Sequence, residues 1–209
     1  MPGERKRVTR AESRQRTKEE LLDAAEELFL ADGLHGTTVA KIAAAAGRTQ
    51  GAIYANFSSK ENLCAEVLLR CYLRTFAGLV ADMAQVASSP DRQIDALGDW
   101  YRALVGEESL IALAAEYALA VHKDPDQMAV SHGHIEMGRG LLGAMLSTVL
   151  SVDASPQQRD MALLAVMATG TGLAFGRTLG VVDDDQVIEL LTRTLRLWAA
   201  DLEHHPNTY

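Results

Sequence analysis

The stretch from Val39 to Phe57 constrains this chain more than any other: Val-Ala-Lys-Ile-Ala-Ala-Ala-Ala-Gly-Arg-Thr-Gln-Gly-Ala-Ile-Tyr-Ala-Asn-Phe. Two helix-forming runs of about eight residues meet at one glycine, which reads as a helix-turn-helix. Gly47 can take the left-handed backbone that a tight turn needs. Ala43 is small where two helices must cross, and Ile42, Ile53 and Phe57 supply apolar packing. Thr49 can cap the second helix, leaving Gln50, Gly51, Tyr54, Ala55 and Asn56 to face outward. A helix so presented fits the ~12 Å major groove of duplex DNA. The same pattern also fits an ordinary helical hairpin in an all-α core, so the flanking sequence has to decide.

The flanks are helical as well. Thr17-Lys-Glu-Glu20 reads as a capping box opening a helix, with Leu21, Leu22, Ala25, Leu28 and Phe29 on one side. Asp32-Gly33 ends it. Ser58-Ser-Lys-Glu61 reads as a second capping box, opening a long helix to about Val86. Ser88-Ser-Pro90 then breaks the chain, and further helices are expected at 91–105, 108–122, 126–150, 156–179 and 184–202. Asp124-Pro125 and Ser155-Pro156 are cap-plus-proline starts, and Asp183-Asp-Asp185 is an acidic helix start favoured by the dipole. The expectation is an all-α fold of about nine helices. With aromatics at only 5% of a 48% hydrophobic chain, aliphatic and alanine side chains must fill its core.

Charge is unevenly distributed along the 209 residues. Residues 1–62 carry ten Lys/Arg against nine Asp/Glu, whereas residues 63–209 carry ten against nineteen. Within the first eighteen residues the bases are Arg5, Lys6, Arg7, Arg10, Arg14, Arg16 and Lys18, against Glu4 and Glu12. A basic front suits a polyanion and an acidic body does not, although taken by itself a basic tail reads first as a solvated one. No secretory signal pattern opens the sequence, and Cys64 and Cys71 make neither a disulfide framework nor a zinc cluster. A cytoplasmic protein without a membrane partner is expected. The uncharged run from Met161 to Gly176 is shorter than the ~20 residues of a spanning helix and reads as a buried helix.

The ordered set Leu28-Phe29, Gly33, Gly36-Thr-Thr-Val39, Ile42-Ala43, Ala46-Gly47, Gly51-Ala-Ile-Tyr54 and Phe57-Ser-Ser-Lys-Glu-Asn-Leu63 resembles the TetR family of bacterial regulators. The resemblance covers about residues 16–75; the rest matches only in length and helical character. It implies a homodimeric transcription factor, most members of the family being repressors released from a palindromic operator by a small molecule. Its domains would be a basic, flexible arm over 1–15, a three-helix DNA-binding domain over 16–62, and a helical ligand-binding and dimerisation domain over 63–209. By position, Thr38 and Lys60 would hold phosphates, and Tyr54 would touch a phosphate or a thymine methyl. Arg48 and Gln50 suit base edges, Arg with guanine and Gln with adenine. Thr49, Gly51 and Asn56 complete the expected DNA-binding set. Asn56 stands where the family usually has His, and Ala55 offers little chemistry, so few side chains remain to read sequence.

Other constellations point away from catalysis. Gly138-Arg-Gly-Leu-Leu-Gly143 matches a dinucleotide-binding string but lies within a helical run, where close helix contact explains it better. His132 and His134 are two apart and so diverge on a helix, which argues against a metal with His122 and Asp124. No G-x-S-x-G, H-E-x-x-H or Walker string occurs. No enzyme activity, cofactor or metal is expected. Tyr72, Phe76, Trp100, Tyr101, Tyr117, Met137 and Phe175 are candidate walls for a lipophilic or neutral ligand. Gly172-x-x-x-Gly176 and the apolar face of the last helix suit a dimer contact through 156–179 and 184–202. The competing reading is a helical small-molecule-binding or adaptor protein that does not bind DNA.

Overall fold

The computed structural model describes residues 9–86, 89–150 and 154–204. The described residues form nine α-helices and no strand. They are α1 (Arg10–Gly36), α2 (Val39–Ala45), α3 (Gln50–Tyr54), α4 (Lys60–Gln85), α5 (Pro90–Gly106), α6 (Glu108–Val121), α7 (Pro125–Met145), α8 (Pro156–Thr178) and α9 (Asp184–His204). A single 3-10 turn, Leu146–Thr148, follows α7. The chain divides into two compact units, one of residues 1–69 with 113–128, the other of 70–112 with 129–209.

The first unit is built on α1, which begins a full two turns before the expected start. Its cap is Thr9, whose hydroxyl accepts from the Glu12 amide while the Glu12 carboxylate accepts from the Thr9 amide. Those bonds hold the Glu12 carboxyl below its usual range. Thr17 does not cap: its hydroxyl donates to the Ser13 carbonyl at 3.0 Å, inside the helix. The expected box at Thr17–Glu20 fails because good helix formers and the pairs Gln15–Glu19 and Arg16–Glu20 carry the helix through it. Residues 10–15 are therefore helix rather than arm, while Arg5, Lys6 and Arg7 lie outside the described residues.

Gly33 breaks α1 as expected, with φ +73. Thr37 is fully buried and donates to the Leu28 carbonyl, which pins the following turn. The start of α4 is one residue later than the expected box. Ser59, not Ser58, caps it by accepting from the Asn62 amide at 3.0 Å, and the Ser58 amide reaches the Asn62 side chain. The cause is Phe57, which is buried with its amide still bonded to the Ile53 carbonyl, so the turn is consumed by Ser58. Phe29, Leu34, Ile42, Ile53, Leu63 and Val67 are fully buried. Each such side chain stabilises the unit by roughly 1.5–3 kcal/mol relative to an exposed one.

In the second unit, α9 packs against both α5 and α8. Gly98 permits this: a Cβ there would lie 3.0 Å from Thr192 Cγ2 and 3.2 Å from Ile188 Cγ2. Ser155 caps α8 in a capping box with Gln158, as the Ser-Pro start predicts, and Ser89 caps α5. The helix expected over 126–150 ends instead at Met145, giving way to the 3-10 turn.

Helix α8 differs from expectation. It is long and apolar enough, by length and composition, to cross a membrane, yet it is not buried all round. Ala162, Leu163, Val166, Gly170 and Ala174 face inward, while Met161, Leu164 and Phe175 are exposed, because packing within one chain covers a single side of the helix. Of its glycines, Gly170 meets the Tyr101 ring and Gly176 meets Val182, whereas Gly172 has open space around it.

The two left-handed glycines of the first unit provide a test. A Cβ at Gly47, φ +62, meets nothing within 4 Å, whereas one at Gly33 would lie 2.5 Å from Glu116 Oε1. Gly47→Ala should cost about 1–2 kcal/mol from backbone strain alone. Gly33→Ala should cost more, because the Glu116 carboxylate must also swing off the His35 amide it accepts from at 3.1 Å. Urea midpoints of the two variants check that order.

Candidate nucleic-acid interface

Helices α2 and α3 contain seven and five residues, too few for either to persist alone. Both are held at their ends. Thr38 caps α2 by accepting from the Lys41 amide at 3.2 Å, and Thr49 caps α3 by accepting from the Ala52 amide at 3.2 Å. Between them, Gly47 at φ +62 lets its own amide reach the Ala44 carbonyl and the Arg48 amide reach the Ala43 carbonyl at 2.8 Å. Ile42, Ala43 and Ile53 bury the inner sides of the pair. The outer side presents Gln50, Gly51, Tyr54 and Ala55, all exposed, with Tyr54 at 58%.

The expected DNA-binding residues divide into two groups. Thr38, Thr49, Gln50, Gly51 and Tyr54 are all exposed, the Thr38 and Thr49 hydroxyls serving as local helix caps. Arg48, Asn56 and Lys60 are engaged by the protein itself. Arg48 is paired with Glu20 of α1, its Nε 3.0 Å from Glu20 Oε2 and its Nη2 on the same oxygen. Asn56 donates to the Ala52 carbonyl at 2.8 Å, and its carbonyl oxygen lies 3.5 Å from Arg14 Nε. Lys60, half-buried, donates to the Leu34 carbonyl at 2.7 Å and the Thr37 carbonyl at 3.1 Å. Its ammonium ties the first turn of α4 to the end of α1, leaving one of three N–H groups for another partner.

Sequence reasoning missed Arg14, Glu20 and Glu116. Arg14 Nη2 donates to the Ala55 carbonyl at 3.2 Å, closing the end of α3. Glu116, on α6, accepts from the His35 amide and faces the His35 ring, 81 residues away in sequence. No local pattern could have announced a contact of that range. The Glu20 contacts had a partial signal in the Arg16-x-x-x-Glu20 spacing, which favours a helical pair.

The ligand-wall candidates are scattered. Tyr72, Phe76, Trp100 and Tyr101 belong to the second unit. The Phe76 and Trp100 ring centroids are 5.0 Å apart, and those of Trp100 and Tyr101 are 6.4 Å apart. The Trp100 indole donates to the Thr75 carbonyl at 2.9 Å, and the Tyr101 hydroxyl donates to the Gly170 carbonyl. Burial pushes the Tyr72 phenol up and the Tyr101 phenol up to about 12. Tyr117 belongs to the first unit, and Met137 and Phe175 are exposed. Two hollows, of about 380 and 360 Å³, involve none of these aromatics. One is lined in part by Leu150, Arg159 and Leu163, the other by Met161, Trp198 and Leu202. No cluster of His, Cys, Asp and Glu able to hold a metal occurs among the described residues.

Two short helices, a glycine turn and an exposed second helix on a third, longer one define a helix-turn-helix unit. Residues 21–67 match the family described as bacterial regulatory proteins, tetR family. The HTH-type transcriptional repressor KstR2 of Rhodococcus jostii (strain RHA1) is 36% identical over 95 residues, 45% of this chain and 46% of that protein. The HTH-type transcriptional regulator AcrR of Shigella flexneri is 43% identical over 61 residues, 29% of this chain and 28% of that protein. The chain thus spans under half the length of these curated relatives. The whole fold is shared with a putative transcriptional regulator from Pseudomonas aeruginosa PAO1, at a TM-score of 0.72 and 20% identity, over 96% of this chain and 98% of that one. It is shared also with FadR from Bacillus subtilis in complex with stearoyl-CoA, at 0.65 and 16%, over 87% and 97%.

Lys60→Met should lower stability by about 1–3 kcal/mol through the two carbonyls it abandons, read as a shifted urea midpoint. Tyr101 gives a pH test. Its phenol ionises at 10.0 when unfolded and at about 12 when folded. The folded state therefore holds the proton more tightly, and the resulting stability is complete below pH 10 and lost as the pH rises to about 12. Tyr101→Phe lacks that loss, so the stability gap between wild type and variant should narrow across this window in urea titrations.

Proposed function

We propose that this chain is a sequence-specific DNA-binding transcription regulator, acting as a homodimer and as a repressor that a small molecule releases. The observation that carries the reading is α3. It is capped at Thr49, anchored beneath by Ile53, and presents Gln50, Gly51 and Tyr54 to solvent. Gln50 would read a base edge, Tyr54 a phosphate or thymine methyl, and Thr38 a phosphate. Two such helices in a dimer would enter successive major grooves of a palindromic operator, ~34–36 Å apart.

Support for the dimer comes from α8 and α9. Met161, Leu164 and Phe175 on α8, and Leu190 and Leu197 on α9, are exposed apolar side chains on two helices that pack together. A second copy would cover them. An effector of neutral or lipophilic character suits the second unit, whose Tyr72, Phe76, Trp100 and Tyr101 lie close together. Such an effector would lower operator affinity by its own preference for the shape that binds DNA less well. Helix α4 contributes residues to both units and is the element on which it would act. A regulator of this kind would work in the cytoplasm, without catalysis.

Selection from a randomised duplex pool with the full chain tests the reading. The chain should enrich a palindromic sequence, with affinity falling steeply as salt rises. Gln50→Ala and Tyr54→Ala, both at exposed positions, should keep the wild-type melting temperature and lose roughly tenfold or more in affinity. Failure to enrich any duplex, with salt-insensitive retention, would leave the protein a helical binding or adaptor module.

A further inference from the structure

Arg48 stands at the entrance to α3 and is pinned by its backbone on both sides, by Gly47 at φ +62 before it and the Thr49 cap after it. Its guanidinium has five N–H donors. The Nε group, at 3.0 Å, and one Nη2 donor both go to Glu20 Oε2. The other Glu20 oxygen accepts from Arg16 Nε at 3.0 Å. The carboxylate is thus clasped between two guanidiniums, Arg48 first and Arg16 second, which hold its pKa below the usual range.

This arrangement occupies one side of the Arg48 fork and leaves its end open. The two Nη1 donors and the remaining Nη2 donor meet no protein acceptor among the described residues. An arginine approached from that end offers two parallel donors, the pattern that matches guanine O6 and N7 in the major groove. A free arginine loses several rotamers when it docks; one already braced by a carboxylate has lost them on folding. The Arg48 side chain retains 38% exposure, so the end is reachable by solvent.

We propose that Glu20, steadied by Arg16, is a positioning residue that presents Arg48 end-on to a guanine in the operator half-site and so sets base preference there. The proposal rests on the DNA-binding reading above. Glu20 also cancels one positive charge beside the groove, which restrains attraction to DNA of any sequence.

The test uses the full chain and the duplex recovered from the randomised pool. Each guanine of one half-site is replaced in turn by adenine, with its partner changed to match, and by 7-deazaguanine, which lacks the N7 acceptor. Arg48→Ala should abolish sensitivity at one guanine. Glu20→Gln, isosteric and uncharged, should reduce discrimination at that same guanine by roughly fivefold or more. At the same time it should raise affinity for scrambled duplex and steepen the salt dependence. Added to Arg48→Ala, Glu20→Gln should change discrimination no further. A merely structural Glu20 would lower specific and scrambled binding together and leave base preference intact. Arg16→Gln provides a second, milder variant with the same direction of change. Unaltered guanine discrimination in Glu20→Gln, or a guanine preference insensitive to Arg48→Ala, overturns the proposal while leaving the protein a DNA binder. A wild-type chain that enriches no duplex overturns the functional reading itself.

Discussion

The five residues of α3 could not remain helical in water by their own hydrogen bonds. Everything the exposed side of α3 can do depends on its being held from outside. Four contacts do this: the Thr49 cap, the left-handed turn at Gly47, the buried Ile53, and the Arg14 bond to the Ala55 carbonyl. The arrangement is economical in side chains. The Gly47 turn and the Thr49 cap fix its start, Arg14 closes its end, one isoleucine fixes the inner side, and Gln50, Gly51 and Tyr54 are left without a structural duty.

Charge does the remaining fastening around this helix pair. Lys60 grips the carbonyls of Leu34 and Thr37, Glu116 grips the amide of His35, and Glu20 holds Arg16 and Arg48. Hydrogen bonds of ionised groups are stronger than neutral ones and more directional than apolar contact. They suit a small unit whose turns must stay fixed while one helix stays exposed.

The fold was legible where local rules act alone. The glycine turn at Gly47, the Thr49 cap, the serine-proline start of α8 and the left-handed Gly33 all follow from residue type and spacing, whereas the Thr38 cap emerged only in the structure. Capping boxes were less secure. Thr17–Glu20 has the right letters, but the sequence before it is equally helical, so α1 begins at Arg10 under Thr9 instead. At α4 the burial of Phe57 shifted the cap from Ser58 to Ser59. The candidate site was legible as a surface and not as a network. Residue type indicates that Arg48 and Lys60 carry charge; only the assembled chain shows that Glu20 and two carbonyls already claim part of it.

The clasp of Glu116 on the Gly33–His35 turn bears on how the protein is made. The first unit is not a contiguous piece of chain, since residues 113–128 belong to it along with 1–69. A ribosome adding about 5–20 residues per second releases the three-helix head seconds before the strap that completes it. Until that strap emerges, the nascent head lacks the acceptor for the His35 amide. A graft of this head onto another body would need to carry the distant strap with it, or the transplanted turn would keep its Thr37 and Lys60 bonds and lose the Glu116 one.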